Sequence, residues 1–163
     1  MNNAGRFLED FRVGDVFRSS IGRTITQTDN IHFTLLTNNT NQIHFNEHYA
    51  ELTEFKRPLV NSALTLSIVA GLMVSETSQN GFALGWNEVT LPAPLFEGDT
   101  LYADTEVLEV RESRSRPGWG IVKVRQRGIK QDGTIVLVMI RSFMLPTQAN
   151  APRLEHFPTP RQP

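Results

Sequence analysis

Residues 61–74, NSALTLSIVAGLMV, decide the fold. From Ala63 to Val74 the side chains are apolar nearly all round a helical wheel, broken by Thr65 and Ser67. A helix with no polar face is a buried helix, so the rest of the chain has to wrap it. The small residues Ala63, Ala70 and Gly71 allow close packing, and Asn61 or Ser62 is the expected cap, with Pro58 just upstream. The apolar run that begins at Leu59 is interrupted by Asn61, Ser62, Thr65 and Ser67, too polar for a membrane span.

Downstream of Asn80-Gly81 the period becomes that of strands. FALGWNEVTL is the first, closed by PAPLFEGDT, whose Pro92 and Pro94 cannot sit in a central strand. TLYADTEVLEVRES and GWGIVKVRQRGIKQ follow, the latter placing polar residues at 123, 125 and 127. Asp132-Gly133 is a strong hairpin signal and leads into TIVLVMIRSFML, nearly continuous in apolar residues, as expected of a strand covered on both faces.

Upstream the texture differs. Gly14-Asp15 marks a turn, and the β-branched run around residues 21–28 reads as a short strand. Thr28 or Asp29 would cap a helix through NIHFTLLT, with Ile31, Leu35 and Leu36 on one side. NEHYAELTEF reads as a second short helix capped by Asn46. The expected fold is α+β, an antiparallel sheet wrapped around a long buried central helix, within one domain of residues 1–145. The tail, residues 146–163, holds five of the nine prolines and reads as an extended or disordered arm.

Composition narrows the function. A net charge of -1 argues against nucleic acid as partner. The absence of cysteine removes disulfides, thiolate nucleophiles and thiolate metal sites. The start, MNNAGRFLED, lacks the basic and apolar regions of a secretory signal, so no membrane association and a cytoplasmic location are expected.

One stretch remains unexplained by folding alone. TNNTNQIHFNEHYA, residues 37–50, gathers four asparagines, a glutamine and two histidines, punctuated by Ile43, Phe45 and Tyr49. It reads as polar groups presented at a site. This loop, RPLVNSALTLSIVAGLM and VTLPAPLFEGDTLYADTEVLEV together resemble the MaoC-like dehydratases, the (R)-specific enoyl-CoA hydratases of the hotdog fold, over about Val13 to Leu145. The wording FTLLTNNTNQIHFN is most similar to the branch acting on methyl-branched C4-dicarboxylic thioesters such as mesaconyl- and itaconyl-CoA.

The resemblance implies a hydratase or dehydratase acting on an acyl-CoA thioester, with no metal and no cofactor beyond the CoA of the substrate, in a homodimer with sites at its interface. The family's catalytic pair is an Asp and a His five residues later. His44 falls on the His, but Asn39 falls on the Asp, and an amide cannot take a proton. The pair that precedes the family's central helix, His-Gly or similar, is here Asn61-Ser62.

Histidine has an ordinary pKa of about 6.5, suited to taking a proton from water and returning one to carbon. His44 is therefore the expected acid/base, with Asn39 orienting the water through its carbonyl oxygen and Asn41 lining the thioester pocket. The helix start at Asn61, Ser62 and Ala63 offers backbone N–H groups to a developing enolate oxygen. A carboxylate in place of Asn39 would repel an anionic acyl group by roughly 4 kcal/mol at 4 Å and an effective dielectric of 20. Arg23 and Arg57, flanking the two stretches, are the candidate partners of such an anion.

Other readings stay open. A hotdog thioesterase would use a carboxylate, for which Glu47, Glu51 and Glu54 are available, although they fall on the exposed side of a helix. A catalytically silent thioester binder would explain Asn39. His44, Glu47 and His48 spell His-x-x-Glu-His, an inverted zinc-peptidase pattern. That pattern needs both histidines on one helix, which the Asn46 cap forbids. His32 and His156 read as surface residues, and Arg111, Arg114 and Arg116 as a solvated hairpin tip.

Overall fold

A computed structural model describes residues 5–151 and 159–161. Two short strands, β1 (Val16–Arg18) and β2 (Arg23–Thr24), precede helix α1 (Gln27–Leu36). A 3-10 turn at Gln42–His44, helix α2 (Glu47–Glu51), helix α3 (Ser62–Leu72) and helix α4 (Val74–Thr77) follow. Four long strands complete the fold: β3 (Phe82–Thr90), β4 (Thr100–Glu112), β5 (Trp119–Lys130) and β6 (Ile135–Pro146). They form one antiparallel sheet in the order β1-β4-β5-β6-β3, with β2 also on β4.

Alternation in the strands decides which face receives the helix. Leu101 and Ala103 of β4 and Leu137 and Met139 of β6 point inward and pack with Leu64 and Val69 of α3 and with Met73 just after it. Beyond the helix, Leu8 and Phe11 of the N-terminal segment cover Val107, Val122, Val124, Phe143 and Leu145 on the same face. On the outer face Arg125 donates to Glu106 at 2.7 Å and Arg127 pairs with Asp104, so the polar residues expected outward on β5 form cross-strand ion pairs. The β5–β6 turn closes as expected, with Gly133 at φ +87 and Lys130 N–H donating to the Thr134 carbonyl at 2.9 Å.

Two polar side chains are enclosed with this core. Gln126, opposite Thr105 on the sheet, donates to the Val69 carbonyl of α3 at 3.4 Å. Arg141 of β6 donates to the Thr77 hydroxyl at 2.8 Å, and burial pushes its guanidinium down to about 10.

Three expectations need correction. The central helix is not buried all round: Ala63, Ser67 and Gly71, four residues apart, form an exposed stripe, while Leu64, Thr65 and Val69 are buried. The chain wraps only the side of α3 that faces the sheet. The run around residues 21–28 gives only two strand residues before Thr26, not the expected Thr28 or Asp29, caps α1; it accepts from Asp29 N–H, and the Asp29 side chain in turn accepts from Thr26 N–H. Finally, α1 turns Leu35 and Leu36 to solvent, at 59% and 80% exposure, and buries Asn30 and Thr34. The expected cap Asn46 is observed, accepting from Tyr49 N–H, and of the two candidates for α3 it is Asn61, accepting from Ala63 N–H, while Ser62 is the first helical residue. Of the tail, β6 ends at Pro146 and a 3-10 turn follows at Gln148–Asn150. His156 and most of the arm lie outside the described residues.

Two consequences are measurable. A Cβ on Gly128 would sit 2.5 Å from Val69 Cγ2, so glycine is what lets α3 approach β5 this closely. Gly128→Val should lower unfolding free energy by about 1–3 kcal/mol in urea titrations. Burial pushes the Asp29 carboxyl up, but hydrogen bonds from Arg23 and Thr26 outweigh it and hold the pKa at about 2. Its stabilisation is therefore complete above the ordinary aspartate value of about 3.9 and lost as pH falls toward the folded value. Asp29→Asn should cost about 1 kcal/mol at neutral pH, a difference from the parent that shrinks as the titration is carried into acid.

Candidate active site

The loop singled out in the sequence folds onto the start of α3 through backbone carbonyls. Asn41 opens the 3-10 turn by accepting from Ile43 N–H at 3.3 Å, and the turn carries His44 inward to 7% exposure. There His44 Nδ1 lies 2.8 Å from the Leu59 carbonyl oxygen. A carbonyl can only accept, so Nδ1 carries the proton and the lone pair of the neutral ring stays on Nε2. The two segments are further joined by Leu59 N–H donating to the Ile43 carbonyl at 3.0 Å.

Asn30, 4% exposed, fills the space between them. Its Nδ2 donates to the carbonyls of His44 at 2.8 Å and Leu59 at 3.1 Å, and its Oδ1 accepts from Asn61 N–H at 2.8 Å. One turn later on α1, Thr34 Oγ1 accepts from Asn61 Nδ2 at 3.2 Å. Asn61, itself buried, thus ties α1 to the first turn of α3. Sequence reasoning missed Asn30 and Thr34 because it sought the apolar side of α1. Their spacing, i and i+4, was the available signal.

Ala63 N–H, expected to face an oxyanion, is taken by Asn61 Oδ1 at 3.0 Å. Among the described residues, Ser62 and Leu64 N–H find no acceptor and remain the donors of this helix start. Ser62 and Thr65 supply the polar edge of an apolar cavity of about 210 Å³ lined also by Phe55, Leu59, Val60 and the bend from Leu91 to Leu95. Leu59 therefore holds the His44 ring by its carbonyl and contributes to the wall of this cavity. Val60 N–H donates to the Leu95 carbonyl at 2.9 Å, so the proline bend and the segment leading into α3 form the cavity together.

The remaining candidates divide. Asn39 lies just after the end of α1, its N–H on the Thr34 carbonyl at 3.0 Å, and its Oδ1 accepts from Asn41 N–H at 2.9 Å. One lone pair of the oxygen expected to orient water is thus used in the turn. The Asn41 side chain is exposed. Arg57 lies over the Phe96 ring at 4.4 Å and donates to the Glu97 carbonyl at 2.7 Å; Phe96 packs on Phe55, which lines the cavity. Among the described residues no carboxylate pairs with Arg57. Arg23 is not brought there. It is paired with Asp29 and lines a separate groove with Ile21, Leu64, Ile68 and Gly71. Glu47 accepts from Gln27 Nε2 at 2.6 Å, and Glu47, Glu51 and Glu54 are exposed. His44 and His48 stand on different elements, the 3-10 turn and α2.

Comparison with known proteins agrees with this layout. The MaoC like domain family matches residues 10–126. The chain is 32% identical to the mesaconyl-CoA hydratase of Cereibacter sphaeroides over 88% of its own length and 42% of that protein's. It is likewise 32% identical to the beta-methylmalyl-CoA dehydratase of Chloroflexus aurantiacus over 94% of its own length and 44% of the relative's. The chain therefore spans about half the length of these two curated relatives. A solved Mycobacterium tuberculosis protein described as a double hotdog fold superposes with a TM-score of 0.82 at 21% identity, over 100% of this chain and 54% of that one. With its sheet-wrapped helix, its inward histidine and more than half its length matched, the chain belongs to the MaoC-like domain family and has the hotdog fold.

Proposed function

We propose that the chain is an enoyl-CoA hydratase unit, adding water across the α,β double bond of an acyl-CoA thioester or removing it. The observation that carries the reading is His44: inward-facing, fixed at Nδ1 by the Leu59 carbonyl, and left with its lone pair on Nε2. In the proposed reaction Nε2 takes a proton from water as its oxygen bonds to the β-carbon. The displaced electron pair moves to the thioester oxygen, where Ser62 and Leu64 N–H and the positive end of α3 stabilise it. The imidazolium then returns its proton to the α-carbon as the enolate collapses. No cofactor is needed beyond the CoA of the substrate.

A methyl-branched C4-dicarboxylic acyl group is the substrate class we favour. The names of the mesaconyl-CoA and beta-methylmalyl-CoA relatives support it. So do the lack of a carboxylate at Asn39 and, among the described residues, the lack of an acidic partner for Arg57, whose ring neighbour Phe96 packs on the cavity-lining Phe55.

The working form is proposed to be a homodimer in the cytoplasm. Among the described residues no helix is long and apolar enough to cross a membrane. Strand β3 ends the sheet with Phe82, Leu84, Trp86 and Val89 each more than 40% exposed. A second copy would cover this edge.

The decisive assay follows enoyl absorbance with mesaconyl-, itaconyl- and crotonyl-CoA beside a free-thiol measurement. Loss of absorbance without thiol release is expected, with His44→Ala lowering the rate on the order of 10²–10⁴-fold. Thiol release would replace this reading with a thioesterase, and silence on both channels with bound thioester would make the chain a binder. Charge recognition is tested by two variants in the same assay. Arg57→Met should raise KM for mesaconyl-CoA on the order of tenfold and leave crotonyl-CoA unaffected, and Asn39→Asp should slow mesaconyl-CoA selectively. Faster mesaconyl-CoA hydration by Asn39→Asp would defeat the charge argument.

A further inference from the structure

We infer that Asn30 is a positioning residue for His44 and, through Asn61, for the start of α3. The kinetic part of this inference rests on the hydratase reading; the structural part does not.

The Asn30 amide has two N–H donors and one carbonyl oxygen, and all are used. One amide spans the backbone of the base (His44 carbonyl), the acceptor that holds the base (Leu59 carbonyl) and the first residue before the helix (Asn61 N–H). Both lone pairs of the Leu59 oxygen are thereby engaged, by Asn30 Nδ2 and by His44 Nδ1.

Two consequences separate this from ordinary core filling. With the amide in place, the Leu59 oxygen is aimed at the ring and keeps the proton on Nδ1. Without it the Leu59 oxygen keeps only the ring as donor, its peptide is held from the other end alone by Val60 N–H on the Leu95 carbonyl, and the imidazole can take the opposite tautomer, which puts a proton on the nitrogen that must accept one. The same amide fixes how far His44 stands from Ser62 and Leu64 N–H, because Asn61 is held by its third bond. Base and oxyanion donors serve one substrate only if that separation is held, and a 1 Å error can cost on the order of 100-fold in rate.

Among the described residues no other side chain bonds both the His44 and the Leu59 carbonyls. Thr34, on the same face of α1, contacts the Asn61 side chain but neither the His44 nor the Leu59 carbonyl. It is the natural control.

The test begins with the unmodified protein. Long-range proton–nitrogen correlation spectra of the His44 ring should show the neutral form protonated at Nδ1. In Asn30→Ala the ring should become a mixture of tautomers, and kcat should fall on the order of 100-fold with KM little changed. Asn30→Ser, which keeps one donor and one acceptor, should recover part of both. Thr34→Val should lower thermal stability without moving the tautomer.

A proton on Nε2 in the parent would overturn the inference, even if no variant folds. So would an Asn30→Ala protein with an unchanged tautomer or an unchanged kcat. If the parent proves not to hydrate enoyl thioesters, the proposed function fails while the spectra still decide the role of Asn30.

Discussion

The carbonyl oxygen of Leu59 is the point on which the site depends. It accepts from the His44 ring and from the Asn30 amide, while its residue's N–H donates to Ile43 and its side chain helps line the cavity. A buried backbone oxygen left without donors would cost about 1–3 kcal/mol, so folding and site assembly are coupled at this atom. The loop that brings His44 cannot pack without satisfying it, and the segment leading into α3 cannot enter the core without presenting it. Asn30 and Thr34 on α1 complete the arrangement, and for this reason α1 turns its leucines to solvent: the buried side of a helix goes to whatever satisfies the buried backbone around it.

The same economy explains why the wrapping is incomplete. The sheet of one chain covers one side of α3, leaving the stripe Ala63, Ser67 and Gly71 open and strand β3 unpaired on one edge among the described residues. Side chains this small expose little apolar surface, so an open face here costs less than a stripe of leucines would. On β3 the residues are large and apolar, and leaving them in water is less easily tolerated. The mesaconyl-CoA hydratase and beta-methylmalyl-CoA dehydratase relatives are about twice as long as this chain, and the double hotdog has room in one polypeptide for two such units. This chain thus folds one core against α3 and, among the described residues, leaves the outer edge of β3 unpaired.

Much of this was legible in the sequence. The four strands, the Asp132-Gly133 turn and the caps Asn46 and Asn61 follow from local chemistry, because each depends on residues a few positions apart. The loop holding His44 stood out by composition, and the likeness of three stretches to a known family supplied its meaning. What stayed hidden was of another kind. Hydrophobic periodicity assigns polar residues outward, and Asn30 violates that rule because its partners lie 14, 29 and 31 positions away. The Arg23–Asp29 pair and the distance of Arg23 from the cavity were equally unreadable, since both candidate arginines flank the right stretches and only the path of the chain separates them.

The absence of a carboxylate at Asn39 gains meaning from the geometry around it. An aspartate there could accept the Asn41 N–H as the amide now does, so the turn does not require asparagine. The substitution therefore has to be weighed by charge. The hydrogen-bonded path around His44 runs through Asn30, Asn61, Thr34 and backbone groups, all of them neutral, and the nearby guanidinium of Arg57 leans on an aromatic ring and a carbonyl instead of an acid. A site that must hold both a thioester enolate and a substrate carboxylate accumulates negative charge as the reaction proceeds. In a water-poor cavity every fixed anion nearby adds to that cost, whereas amides and a helix start lower it. In the proposed reaction an amide at this position leaves the imidazole to move protons in both directions. On that reading the exchange favours a substrate that brings its own charge.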